Sequence, residues 1–202
     1  MPSDLDLRGV HVPLITPFAA DDSVAVDAIE RLSHHYLDAG AAGIVALGTT
    51  GEATALDPDE QRAVIDVCTR VCAERGAPLM VGIGTNNTRT TIAKAESLAG
   101  NPTVTSVLVV TPYYVRPSEE GIAAHMRAVA DASPVPVVLY NIPYRTGRVM
   151  TAPTILELAQ HPNIAGIKQS VGGIDGDTAE VLSLAICAVP SAEIWSVSIS
   201  DI

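Results

Sequence analysis

Seven short apolar runs recur along this chain at intervals of roughly thirty residues, with helical periodicity between them, and this alternation constrains the fold more than any other feature. The runs are Val10 to Thr16, Gly43 to Leu47, Pro78 to Ile83, Ser106 to Val110, Val137 to Tyr140, Ile164 to Lys168 and Glu193 to Ile199. Each reads as a strand, and near-continuous apolar strands are those that a parallel sheet buries on both faces. The intervening segments read as helices. Asp27 to Ala39 spaces Ile29, Leu32, Tyr36 and Leu37 on one face. Asp57-Pro58-Asp59-Glu60 supplies an N-cap, a proline at the first helical position and a glutamate at the third. Thr88 to Ala99, Ser118 to Ala132, Thr151 to Gln160 and Asp175 to Cys187 complete the series.

Without one dominant glycine-rich fingerprint, the pattern favours a (β/α) barrel over a doubly wound sheet. A closed barrel has eight strands and eight helices in about 250 residues, against 202 here. The expectation is therefore an α/β fold of the TIM (β/α)8 type, incomplete, with six to seven of the eight strands. Residues 1–189 would form the partial barrel. Residues 190–202 are an atypical tail holding the only tryptophan, Trp195, and read either as a seventh strand or as a frameshifted end.

A formal net charge of −11 opposes a nucleic-acid footprint or an anionic membrane surface, both of which need clustered cations. No run of eighteen apolar residues and no signal-peptide core is present, so the expected location is cytoplasmic. Cys68 and Cys72 lie one turn apart beside Val64, Ile65 and Val71 and read as small buried hydrophobes. The histidines are scattered, and no metal site is expected.

Working residues of a (β/α) barrel lie just past the carboxyl ends of its strands. Ile164-Ala165-Gly166-Ile167-Lys168 ends in a cation, and Lys168 and Lys94 are the only lysines among twelve basic residues. Lys94, between Ala93 and Ala95, reads as helix surface. A lysine in a dry site sheds its proton, and the neutral amine is a nucleophile toward carbonyl carbon; the plain alternative is a side chain that snorkels to water. Past the second strand, Thr49 and Thr50 offer hydroxyls and backbone N–H groups to a carboxylate, though the same residues can simply make a tight turn. Past the fourth come Tyr113 and Tyr114, as proton carriers or as packing. Past the fifth, Tyr140 and Arg145 share one loop, with Asn141 read as structural. An amine, phenols, two threonines and an arginine form the set that imine chemistry on a keto acid needs, without a metal.

Gly48-Thr49-Thr50-Gly51-Glu52, Thr111-Pro112-Tyr113-Tyr114, Tyr140 to Gly147 and Gly166-Ile167-Lys168, in this order and spacing, resemble the dihydrodipicolinate synthase family of pyruvate-dependent Schiff-base lyases. The resemblance covers residues 8 to 189. It implies an imine between Lys168 and pyruvate, with no other cofactor, and a proton relay through Tyr140 linked by Thr50. It implies that Thr49 and Thr50 hold the pyruvate carboxylate. Tyr114 would complete the relay from the neighbouring subunit of a tight dimer, within a dimer of dimers. Arg145 would receive the carboxylate of aspartate semialdehyde, or of another aldehyde, and the product would be 4-hydroxy-tetrahydrodipicolinate, on the route to diaminopimelate and lysine. Sugar-acid lyases of the same superfamily, and an inactive fragment, are the alternatives. The chain departs from the family pattern at Val115, Tyr144 and Gln169-Ser170-Val171. At Ala53, Pro58 and Gln61 it lacks the polar and histidine character of a lysine-feedback pocket.

Overall fold

The computed structural model describes residues 5–188 and 193–195, and the chain divides into two compact units. One comprises residues 6–83 and 100–107; the other holds residues 84–99 and the chain from 108 onward. One of the boundaries, between residues 107 and 108, falls within a strand.

The first unit runs β1 (His11–Pro13), α1 (Val26–Asp38), β2 (Gly43–Ala46), a 3-10 turn (Thr49–Gly51), α2 (Pro58–Arg75), β3 (Leu79–Gly82) and the first half of β4 (Val104–Val110). β1 pairs parallel with β2, His11 opposite Gly43, and β2 pairs with β3, Ile44 opposite Leu79. β1 is shorter than its apolar run and ends on Pro13, which stands opposite Val45. Pairing extends one residue further, where the Leu14 N–H donates to the Val45 carbonyl at 3.0 Å.

All four β2 residues are buried, as the apolar run predicts for a strand covered on both faces. α2 starts with the capping box that the sequence announces: Asp57 accepts from the N–H groups of Asp59 and Glu60, while Glu60 accepts from the Asp57 N–H. It ends at Gly76, whose φ of 61° is the left-handed cap that glycine adopts at least cost. Its inner face is Val64, Val67, Cys68, Val71 and Cys72, all buried. Burial pushes the Cys68 thiol up to about 12 and that of Cys72 to about 11.

Just after β2 the chain turns sharply at Leu47, a buried non-glycine residue with φ 56°. This turn carries the Leu47 carbonyl over Gly82, leaving no room for a side chain there. Gly82→Ala is expected to destabilise the protein by roughly 2–3 kcal/mol, since neither backbone can yield. Urea unfolding midpoints of the two proteins check this.

The second unit contains α3 (Thr88–Glu96), the rest of β4, α4 (Glu119–Ala132), β5 (Val137–Asn141), α5 (Pro143–Thr146), α6 (Ala152–Leu158), β6 (Ile164–Gln169), α7 (Gly176–Ala188) and β7 (Glu193–Trp195). β5 pairs parallel with β6, and β6 with β7, Ile167 opposite Ile194. Residues 196–199 of the expected last strand, and the tail outside 193–195, lie outside the described residues. α3 and α4 are capped by the side chains of Asn87 and Ser118. The Glu119 carboxylate accepts from the Thr151 N–H and from the hydroxyls of Thr151 and Thr154, tying the start of α6 to that of α4. Lys94, read as helix surface, lies on α3 and is half-buried, and burial lowers its pKa.

Between α3 and α4 the His125 ring is 4% exposed. Its Nδ1 lies 2.9 Å from the Thr88 hydroxyl, while Nε2 is buried with no hydrogen-bond partner among the described residues. Burial pulls its pKa from 6.5 to about 4. Between those values the unfolded chain binds a proton that the folded chain refuses, so stability is lost as pH falls from 6.5 toward 4. The full effect is about 3 kcal/mol. His125→Gln should flatten that slope in urea titrations run from pH 7 to pH 4.

Candidate functional site

Tyr140 and Lys168 are register partners at the carboxyl ends of β5 and β6. Side chains alternate along a strand, so these two share one sheet face, while the next rung, Asn141 opposite Gln169, faces the other way. Lys168 Nζ lies 4.4 Å from the centroid of the Tyr140 ring. An aromatic face favours the ammonium form, and loss of water favours the neutral amine. Desolvation prevails here, and the Lys168 pKa is lowered. Tyr140 is itself only 5% exposed, so its ring is a fixed floor under the amine.

The opposite rung holds this pair in place. Asn141 Nδ2 donates to the Gln169 side-chain oxygen at 2.9 Å and to the Met150 carbonyl at 3.1 Å, and Asn141 Oδ1 accepts from the Met150 N–H. Gln169 Nε2 donates in turn to the Thr178 hydroxyl of α7 at 3.0 Å. Both amides are buried. A slip of one residue would exchange the two faces, leaving these amides without their partners, so the network fixes the register that seats the lysine over the tyrosine.

Thr49 and Thr50 belong to the first unit, at the end of β2, where the 3-10 turn leaves both exposed. The turn is anchored beneath by the Thr16 hydroxyl, which donates to the Gly51 carbonyl at 2.7 Å. It is flanked by Leu47 and Glu52 at φ 56° and 51°, backbone strain of the kind that persists where a loop must hold one shape.

Tyr114, beyond β4, is 89% exposed with φ 71°. Its ring faces solvent. Arg145 is exposed on α5, with its guanidinium carbon 5.2 Å from the centroid of the Tyr144 ring. The segment from Tyr140 to Gly147 was expected to be one loop. Instead β5 continues through Asn141, and α5 forms a single turn because Pro143 presets its first residue and Gly147, at φ 69°, caps it.

Sequence reasoning named Tyr140, Lys168, Tyr114, Arg145, Thr49 and Thr50, and of these the structure brings Tyr140 and Lys168 into contact. It missed the Gln169–Thr178 half of the amide network. The available signal was a polar residue directly after a site residue in each of two buried strands. Among the described residues no group of three His, Cys, Asp or Glu side chains could hold a metal ion, and no helix is long and apolar enough to cross a membrane.

Parallel strands alternating with helices place this chain in the (β/α)-barrel class, with a desolvated amine at the carboxyl end of one strand. The family model for dihydrodipicolinate synthetases matches residues 6–196. The chain is 42% identical over 170 residues to the 4-hydroxy-tetrahydrodipicolinate synthase of Ligilactobacillus salivarius, covering 83% of this chain and 58% of that protein. It is 41% identical over 192 residues to that of Stenotrophomonas maltophilia, covering 95% and 63%. The chloride-inhibited Acinetobacter baumannii dihydrodipicolinate synthase, solved with pyruvate, superposes with a TM-score of 0.83 at 36% identity, over 89% of this chain and 61% of that one. The chain belongs to the dihydrodipicolinate synthetase family and has the corresponding part of its (β/α)8 barrel fold. It spans about three fifths of the length of these relatives.

Proposed function

We propose that the protein is a Schiff-base lyase that condenses pyruvate with aspartate 4-semialdehyde, forming 4-hydroxy-tetrahydrodipicolinate for diaminopimelate and lysine synthesis. The single observation carrying this reading is the Lys168 amine, desolvated and seated 4.4 Å over the Tyr140 ring. A neutral Nζ attacks the C2 carbonyl of pyruvate, and the carbinolamine loses water to give the imine. Removal of a C3 proton yields an enamine, whose C3 attacks the aldehyde carbon while the aldehyde oxygen takes a proton. Attack of the substrate amine on the imine carbon then closes the ring and frees the lysine.

Tyr140 is the proton carrier of this scheme, with Thr50 as its link, and Thr49 and Thr50 hold the pyruvate carboxylate. Arg145 receives the carboxylate of the aldehyde. Tyr114 serves a neighbouring subunit of a dimer within a homotetramer, a role consistent with its 89% exposure here. The covalent imine is the only cofactor-like group required, and the proposed setting is the cytoplasm.

Borohydride trapping tests the reading. Incubation with pyruvate followed by reduction should add the mass of a reduced pyruvyl group to the peptide containing Lys168 and to no other. Turnover with aspartate semialdehyde, compared with cleavage of sugar acids, separates the synthase from its sugar-acid relatives. Absence of the adduct in folded protein would sink the proposal.

A further inference from the structure

The 23 acidic residues of this chain outnumber its 12 basic ones, and half of its ten arginines are paired with a carboxylate. Arg8, Arg62, Arg70, Arg75 and Arg127 all stand in ion pairs. Among the described residues Arg31, Arg89, Arg116, Arg145 and Arg148 stand in none, and of these the last three lie in the two short segments that follow β4 and β5. Arg148 is otherwise engaged: its Nε donates to the Pro117 carbonyl at 2.6 Å, and its charge helps lower the Glu119 pKa. Arg116 and Arg145 remain.

Arg116 lies directly over the backbone of Gly147, two residues from Arg145. A Cβ at position 147 would sit 2.8 Å from Arg116 Nε and 3.3 Å from Nη2. Gly147, with no side chain and a φ of 69°, is what lets the guanidinium settle there. The backbone that delivers Arg116 is itself held in an unfavourable shape, with φ 48° at Arg116 and 71° at Tyr114. Such strain is more readily maintained where it places a working group. On the other side, the Tyr144 ring stacks on Arg145 and narrows the positions its guanidinium takes.

We infer that Arg116 is a second carboxylate-receiving residue, acting with Arg145 as a two-guanidinium mouth for the acid group of the aldehyde substrate. The inference rests on the lyase reading for the identity of that substrate and deepens it. A carboxylate has about four lone-pair directions, and one bidentate guanidinium uses two of them. A second fork satisfies the rest. The class selected is an aldehyde carrying a carboxylate, because a neutral aldehyde offers the two exposed guanidinium groups no counter-charge.

Arginine-selective modification with phenylglyoxal, mapped by mass spectrometry, tests this with succinate as the carboxylate probe. It requires neither pyruvate nor turnover. Succinate should slow modification of Arg116 and Arg145 together, at one common half-saturating concentration, while Arg89 on the exposed face of α3 reacts at an unchanged rate. Arg116→Ala should raise that concentration for Arg145 about tenfold or more, and Arg116→Lys should restore little of it, since an ammonium is not a fork. Protection of Arg145 alone, or of neither residue, overturns the inference. A missing Lys168 adduct, by contrast, overturns the lyase reading while leaving this result intact.

Discussion

Lys168→Met is expected to lose the pyruvate adduct entirely and to lower turnover on the order of a thousandfold or more, because it removes the amine seated 4.4 Å from the centroid of the Tyr140 ring. Methionine keeps the length and apolar stem of lysine without its amine, so the floor of the site stays filled. The same substitution should leave the melting temperature unchanged or higher. Burial lowers the Lys168 pKa because the charged form is poorly solvated there, and replacing such a group with a thioether removes a cost of folding. Loss of adduct together with loss of stability would instead make Lys168 a structural residue. The pH profile adds a second criterion. Trapping should become faster with rising pH, and its midpoint should lie below that of an ordinary lysine, since only the neutral amine attacks.

Tyr140→Phe carries the second largest expectation, a fall in kcat of roughly 10²–10⁴-fold, the range that removal of a proton-transfer group produces. The ring remains, so the face beneath Nζ remains, and the rate of imine formation at saturating pyruvate should fall with kcat while the pyruvate KM changes little. Tyr140→Leu is the informative companion. It deletes the phenol and the aromatic face together, and should lower the trapping midpoint further by removing the ring's preference for the ammonium form. A Tyr140→Phe protein with undiminished turnover would end the case for a proton relay through this residue.

The parts of this molecule legible in the sequence are those governed by local rules. The capping box of α2 is written in Asp57 and Glu60, and the buried character of β2 in four consecutive apolar residues. Lys168 stood out because a cation closes an otherwise apolar run. What escaped notice depends on pairing across strands or on backbone shape. Nothing in the order of residues shows that Tyr140 and Lys168, twenty-eight positions apart, share a rung, which follows from the β5–β6 register. Gln169 looked like a departure from a family pattern, and the structure shows it as the hinge between Asn141 and Thr178. The left-handed conformations at Leu47, Tyr114 and Arg116 are invisible for a similar reason, since none of these residue types favours φ > 0. The α5 turn was within reach, because Pro143 and Gly147 bracket it as start and stop signals.

The buried thiols of α2 have a practical meaning. A cysteine whose pKa is pushed up to about 12 carries almost no thiolate at neutral pH, and thiol reagents attack thiolates. Cys68 and Cys72 are therefore silent while α2 lies on its sheet and become reactive when the helix lifts away. The rate at which they are alkylated is a clock for opening of that helix, set by the energetics of the first unit and readable without any label added to the chain.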